Sequence, residues 1–242
     1  MDLIAQITLA LVLSLILSLG TYKFGMLTKG GMIASFATGS FVGIFGTVEW
    51  LILLIIFTLA GLLATKINFE QKVKKDLQEG KHGERTYMNI LGVGLPPCII
   101  AFVSWMLDGN YQFESTVAFV STLTVAAADT IASEIGVKDP RVWLITTLKR
   151  TVPGVNGGIS LLGTATSSIV SVIVAILGWL LIYQTLNIYV LIPAVAGIFG
   201  NLMDSLLGAT LEEKGYISKY ANNSITALMG ALFGVVLCIL IL

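Results

Sequence analysis

The sequence predicts an all-α fold: a polytopic transmembrane bundle of about eight helices with both termini outside. Three observations carry that expectation. The 242 residues are 56% hydrophobic and only 12% charged, with a mean hydropathy of +0.91, whereas a soluble domain of this length needs a charged shell. The apolar residues fall in runs long enough to cross hydrocarbon, roughly 17–25 residues each. Every Lys and Arg lies in alternate connections between those runs.

Eight segments follow in order, near 3–20, 31–47, 50–65, 88–107, 115–136, 160–182, 188–210 and 223–242. Asp2, with no cation, precedes the first, which does not fit a cleaved signal peptide. The second, fifth and seventh are rich in Gly, Ala, Ser and Thr, the residues that let membrane helices pack closely or line a site. All eight belong to one integral membrane domain, 1–242. Its longest soluble stretch is the charged loop 66–87 between segments three and four, whose spacing predicts a short amphipathic helix. Cys98 and Cys238 sit in apolar runs without metal-ligand spacing and read as packing residues. His82, the one histidine, reads as a loop residue.

Placing the cations orients the bundle. Lys23 and Lys29 follow segment one; Lys66, Lys72, Lys74, Lys75, Lys81 and Arg85 follow segment three. Lys138, Arg141, Lys149 and Arg150 follow segment five, and Lys214 and Lys219 follow segment seven, which accounts for all 14. The opposite side carries Asp2, Glu49, Asp108 and Glu114 and no cation. The positive-inside rule then puts the exits of the odd segments in the cytoplasm, and a wrong segment count would scatter the charges. A formal net charge of zero argues against a nucleic-acid partner. Loop 66–87 admits two readings: a solvated stretch beside anionic headgroups, or a source of phosphate-holding cations, Arg85 above all.

Two intramembrane acids stand out. Asp129 lies in AADTIASEIG (127–136), about two turns before the cytoplasmic end of segment five, with Glu134 nearer the interface. Asp204 lies at comparable depth in GNLMDSLLGATLEEKG (200–215), with Asn201 one turn before it. Both helices run inward, so both acids sit toward negative C-terminal dipole ends, and a carboxylate at membrane depth is costly in itself. A bound cation would offset both penalties. Oxygen ligands without His or Cys point to Mg²⁺, held by Asp129, Glu134, Asn201 and Asp204. The two runs also resemble each other, as a degenerate repeat setting two acidic helices side by side would.

Segments six and eight start on the same face. RTVPGVNGGIS (150–160) brings Lys149 and Arg150 and two glycine pairs to the start of segment six. Asn156, Gly157, Gly158 and Ser160 can turn and cap there and present amides to an anion. Asn222-Asn223-Ser224 opens segment eight either as an ordinary N-cap or as a ligand contact through Asn223. Cation-binding helix ends and anion-binding helix starts together suit a magnesium–nucleotide or magnesium–diphosphate complex.

AADTIASEIG, VPGVNGGIS, GNLMDSLLGAT and the Asn223 region of ANNSITALMGAL (221–232) resemble the membrane family of phytyl-phosphate kinase and the transmembrane protein nineteen group. The likeness runs through most of the chain and is densest from Arg85 to Leu232. It implies an integral membrane kinase that transfers phosphate from CTP, or another nucleoside triphosphate, to an isoprenyl or phytyl monophosphate with Mg²⁺. Carried over by matching positions, it implies a site made of Asp129, Glu134, Asn156, Ser160, Asn201, Asp204 and Asn223, to which the reading of the residues adds Lys149 and Arg150 as catalytic cations and Arg85, Gly157 and Gly158 as phosphate-binding. The chain departs from the family at two places: Asn89-Ile-Leu-Gly-Val-Gly94 stands where relatives carry Gln-Val-Leu-Ala-Asn-Gly, and Val155 where they carry Thr. Those departures bear on nucleotide and acceptor choice. Two other readings compete. A cation-coupled transporter of an anionic or lipid-linked substrate predicts midplane sites open to both faces. A CDP-alcohol phosphotransferase predicts an Asp-Gly acidic signature, which is missing.

Overall fold

The computed structural model describes residues 2–66, 69, 73, 80 and 82–242. Eight long helices form among the described residues: α1 (Leu3–Lys23), α2 (Lys29–Phe45), α3 (Val48–Lys66), α4 (Tyr87–Met106), α5 (Gln112–Gly136), α6 (Leu161–Tyr183), α7 (Leu191–Leu207) and α8 (Lys219–Ile241). Seven segments built on all but α2 are long and apolar enough to cross a membrane, and α2 falls short at 17 residues. The amphipathic helix expected within 66–87 lies outside the described residues.

Helix α5 is the hub. It is the least apolar of the spans yet the most buried, because its surface is made of Ala, Ser, Thr and Val that neighbours can approach closely. Glycines on those neighbours meet it: Gly178 of α6 against Val120, Gly197 and Gly200 of α7 against Thr124 and Val125, and Gly234 of α8 against Ser121. A Cβ at Gly197 would stand 2.8 Å from Thr124 Cβ and 2.6 Å from Ser171 Oγ. Buried Thr124 on this helix shares its hydroxyl between Ser121 O at 2.8 Å and Pro193 O at 2.9 Å, whereas Ser121 Oγ is buried without a hydrogen-bond partner. Outward faces of the bundle instead carry exposed Leu, Ile and Val, among them Ile4 and Ile16 on α1 and Leu232 and Ile239 on α8.

The two ends of the bundle differ in chemistry. At the end where the chain starts, Gln6 Nε2 donates to Gly43 O and Gly46 O at 3.0 Å, tying α1 to the α2–α3 link. Aromatic clusters lie toward that end: Phe41, Phe45, Phe102 and Trp105 in one, Phe113, Trp179, Tyr183 and Tyr189 in another. Such belts mark a membrane interface. Every described Lys and Arg lies at the other end, where α1, α3, α5 and α7 finish. There Arg85 N donates to Met26 O (2.9 Å) and Thr28 N to Arg85 O (3.0 Å), joining the first cationic connection to the second.

Proline shapes α4. Pro96 has no N–H for the carbonyl four residues back, and Ser224 Oγ of α8 donates to that carbonyl, Gly92 O, at 2.7 Å. Gly92 lets α8 come this near, since a Cβ there would lie 3.2 Å from Tyr220 Cα.

Among the described residues the chain departs from helix in its connections. Between α5 and α6 the chain forms a small antiparallel sheet of β1 (Val142–Leu144), β2 (Arg150–Thr151) and β3 (Gly158–Ser160), in the order β2-β1-β3. Asp139 anchors its entry: its Oδ1 accepts from Arg141 N at 2.9 Å, and that bond holds its carboxyl below the usual range.

Candidate functional site

Helices α5 and α7 pack side by side, and the carboxyl groups of Asp129 and Asp204 come within hydrogen-bonding reach of each other. Thr226 Oγ1 of α8 is 3.4 Å from Asp204 Oδ1. Beyond Asp204 the helix widens into one π turn, Gly208–Glu212, in which Glu213 N donates to Gly208 O at 3.1 Å. A π turn takes an extra residue into the rung, and here it is Glu212 that meets α8. Asn222 Nδ2 donates both to Glu212 Oε2 and to Asp204 O, each at 3.1 Å. Asn222 is 1% exposed.

The glycine-rich turn closes the site from the side of α6. Gly157 has φ +75°, a conformation open to glycine and strained for other residues. It lies against the π turn of α7, where a Cβ would meet Ala209 and stand 2.7 Å from Ser205 O. Gly158 N donates to Val155 O at 2.9 Å. Ser160 Oγ then caps α6 by accepting from Gly163 N at 3.0 Å. Close approach of α5 to α6 depends on paired glycines, since a Cβ at Gly136 would stand 3.0 Å from Gly163 Cα.

These elements enclose a cavity of about 390 Å³, within the range of small-molecule sites. Of the residues expected from sequence, it gathers Asp129, Glu134, Asn156, Gly157, Gly158, Ser160, Asn201, Asp204 and Asn223 into one lining. Four carboxylates (Asp129, Glu134, Asp204, Glu212) face one cation, Lys219, among the described lining residues. A bare polyphosphate is repelled by such a wall, whereas its metal complex is not. The N-termini of α6 and α8 open onto the same space, and amides there favour anions.

Three expected cations are elsewhere. Lys149 and Arg150 stand exposed at β2 and are absent from the cavity lining. The reason is strand order: β1 separates β2 from β3, and two inter-strand spacings put β2 about 10 Å from the strand that enters α6. The Arg150 guanidinium lies over the Trp143 ring instead, 5.1 Å from its centroid. Arg85 donates to Thr65 Oγ1 at 2.8 Å and lines a separate crevice of about 40 Å³ among α1–α5.

The metal set narrows as well. No three His, Cys, Asp or Glu side chains group to hold a metal among the described residues. Glu134 lies five residues beyond Asp129, about 140° further round α5, so it shares the cavity without completing a three-acid cluster. Two carboxylates still suit Mg²⁺, which keeps several waters and shares substrate phosphates. An orphaned oxygen also fits a cation here: Asn222 Oδ1 is buried and has no hydrogen-bond partner.

Sequence reasoning missed Ser205, Glu212 and Lys219 and put Asn222 in the wrong place. It set the start of the last helix at Asn222–Ser224. The cap is Ser218, whose Oγ accepts from Ala221 N at 3.2 Å, which moves Asn222 inside the helix. The signal was available in Ser218 followed by Lys-Tyr-Ala. Nothing in the sequence announces the π turn.

Comparisons with known proteins agree with this architecture. Residues 12–235 match the family model described as integral membrane protein DUF92. An uncharacterized membrane protein of Methanocaldococcus jannaschii is 30% identical over 238 residues, covering 98% of this chain and 96% of that one. The chloroplastic protein VTE6 of Arabidopsis thaliana is 28% identical over 219 residues (88% of this chain, 65% of that one). Protein PGR of the same plant is 26% identical over 235 residues (88% and 81%). No solved structure matches the chain. The membrane family expected from the four motifs is the one to which these matches lead.

Proposed function

The chain belongs to the integral membrane protein family DUF92, and on that footing we propose that it is a membrane-embedded prenyl-monophosphate kinase. The observation that carries the reading is the joining, in one cavity, of a carboxylate pair toward two helix C-termini with a glycine turn and two helix N-termini. An acceptor phosphate oxygen attacks the γ-phosphorus of CTP or another nucleoside triphosphate. The bond to the β-phosphate oxygen breaks, and a nucleoside diphosphate leaves. The attacking oxygen is already ionised, so the reaction needs alignment and charge neutralisation more than a base.

Mg²⁺ bound at Asp129 and Asp204 would supply that neutralisation. Asn201 and Glu134 flank the pair. The 153–160 turn, the start of α8 and Lys219 receive the phosphates, with Asn156 and Asn223 as side-chain donors. The prenyl chain leaves the cavity past Gly163 and Thr164 toward lipid. The active end faces the cytoplasm of a cell membrane and both chain termini face away, in keeping with the one-sided cations. Prenyl monophosphate, nucleotide and membrane lipid are the partners in this reading.

The test incubates purified protein with Mg²⁺, γ-labelled CTP or ATP and a panel of prenyl monophosphates of different chain length. Labelled prenyl diphosphate is the expected product. No product across the panel, together with flux of a prenyl phosphate in proteoliposomes, would replace the kinase with a transporter.

A further inference from the structure

Asn222 presents an oxygen that the fold leaves without a partner. It is 1% exposed, sits in the second turn of α8 and lines the acidic cavity. Its Nδ2 is committed twice, to Asp204 O and to Glu212 Oε2 at 3.1 Å each. These partners fix the amide's orientation, because the flipped form would set an amide oxygen against a carbonyl and a carboxylate. Oδ1 is therefore the atom left over, buried and without a donor. A buried acceptor in that state costs about 1–3 kcal/mol, and native folds rarely keep one without a use.

Neighbouring chemistry says which use. Asp204 is bonded to Asn222 through its own backbone carbonyl and meets Asp129 through its side chain. No third His, Cys, Asp or Glu joins that carboxylate pair among the described residues. Hard divalent cations take neutral amide oxygens alongside carboxylates. We infer that Asn222 Oδ1 is the third protein oxygen for the divalent cation held by Asp129 and Asp204, a deepening that rests on the metal-dependent reading above. The two Nδ2 bonds then have a purpose: they clamp the amide so that its oxygen is pre-set for the ion, in the way outer hydrogen bonds orient metal ligands elsewhere. The clamp also ties the π turn of α7 to α8, so the element that brings Glu212 over fixes the ligand too.

The test reads metal binding directly, without nucleotide or acceptor. Purified protein in detergent is titrated with Mn²⁺ while free ion is followed by electron paramagnetic resonance, and excess Mg²⁺ serves as competitor. N222A removes the oxygen, and its metal-free melting curve checks that it folds. The exchange E212Q/N222D keeps the cavity charge and lets the new amide on α7 donate to the new carboxylate on α8, while the bond to the Asp204 carbonyl is lost. An oxygen therefore stays at position 222 even if N222A folds poorly. Wild type binds Mn²⁺ with Mg²⁺ competition, N222A binds about tenfold more weakly (a loss of about 1.4 kcal/mol), and the exchange, which keeps an oxygen but only half of the clamp, falls between them and binds about threefold more tightly than N222A. Wild-type affinity in N222A, equal weakening in the exchange, or no Mn²⁺ uptake by wild type would each overturn the inference. The product assay is untouched by these results, so a kinase that keeps its metal without Asn222 would show as transfer with N222A binding unchanged.

Discussion

Gly157→Ala separates the cost of a strained backbone from the cost of displacing the cavity wall, with Gly215→Ala as the matched control. Both glycines have positive φ, +75° and +73°, and alanine at either pays about 1–2 kcal/mol for that conformation. Gly215 has nothing within 4 Å of its missing Cβ, so the control stops there. At Gly157 the new methyl runs into Ala209 and stands 2.7 Å from Ser205 O, and relieving such overpacking costs about 1–3 kcal/mol more. G157A should therefore lose about 2–5 kcal/mol in all. At roughly 2–4 °C per kcal/mol for a chain of this size, its melting point falls by roughly 4–20 °C, against roughly 2–8 °C for G215A. The clash pushes the glycine turn away from the helix turn that carries Asp204, and a displacement near 1 Å can cost about 100-fold in rate. Melting in detergent and prenyl diphosphate formation at saturating substrate are the two assays. Equal melting points and equal rates for the two variants would refute the packing argument.

Four further outcomes follow from side-chain placement. K219A should raise the nucleotide KM by about tenfold (about 1.4 kcal/mol) with kcat little changed, while K149A/R150A should stay within about twofold; initial rates across nucleotide concentration decide. S224A strands the Gly92 carbonyl that Pro96 frees and should destabilise by about 1–3 kcal/mol. P96A restores the missing amide, so the double variant S224A/P96A should lose less than S224A alone, and equal melting of the two would contradict the assignment.

Much of this architecture was legible from hydrophobic run length and charge placement, because a helix in hydrocarbon must satisfy its backbone internally and so shows its length in the sequence. The acids Asp129 and Asp204 were legible for a related reason: a carboxylate at that depth is expensive and stands out. What escaped depends on contacts between distant residues. The strands of 142–160 are two or three residues each and pair only when the connection is held over the bundle end, so Lys149 and Arg150 read as cations beside the glycine turn when a strand stands between. Glu212 was hidden by a π turn that no local pattern marks. Asn222 was misplaced by a single helical turn, since Ser218 rather than Asn222 or Asn223 caps α8. That turn decides whether an asparagine is an exposed cap or a buried side chain in the cavity.

The most direct measurement compares D129N and D204N with wild type in the prenyl-phosphate transfer assay, each variant shown by melting and gel filtration to be folded. Either change should lower Mg²⁺-dependent diphosphate formation by a factor on the order of 100–1,000 or more, and added Mg²⁺ should not restore it. Near-normal transfer in either variant would contradict a cation-holding carboxylate pair between α5 and α7.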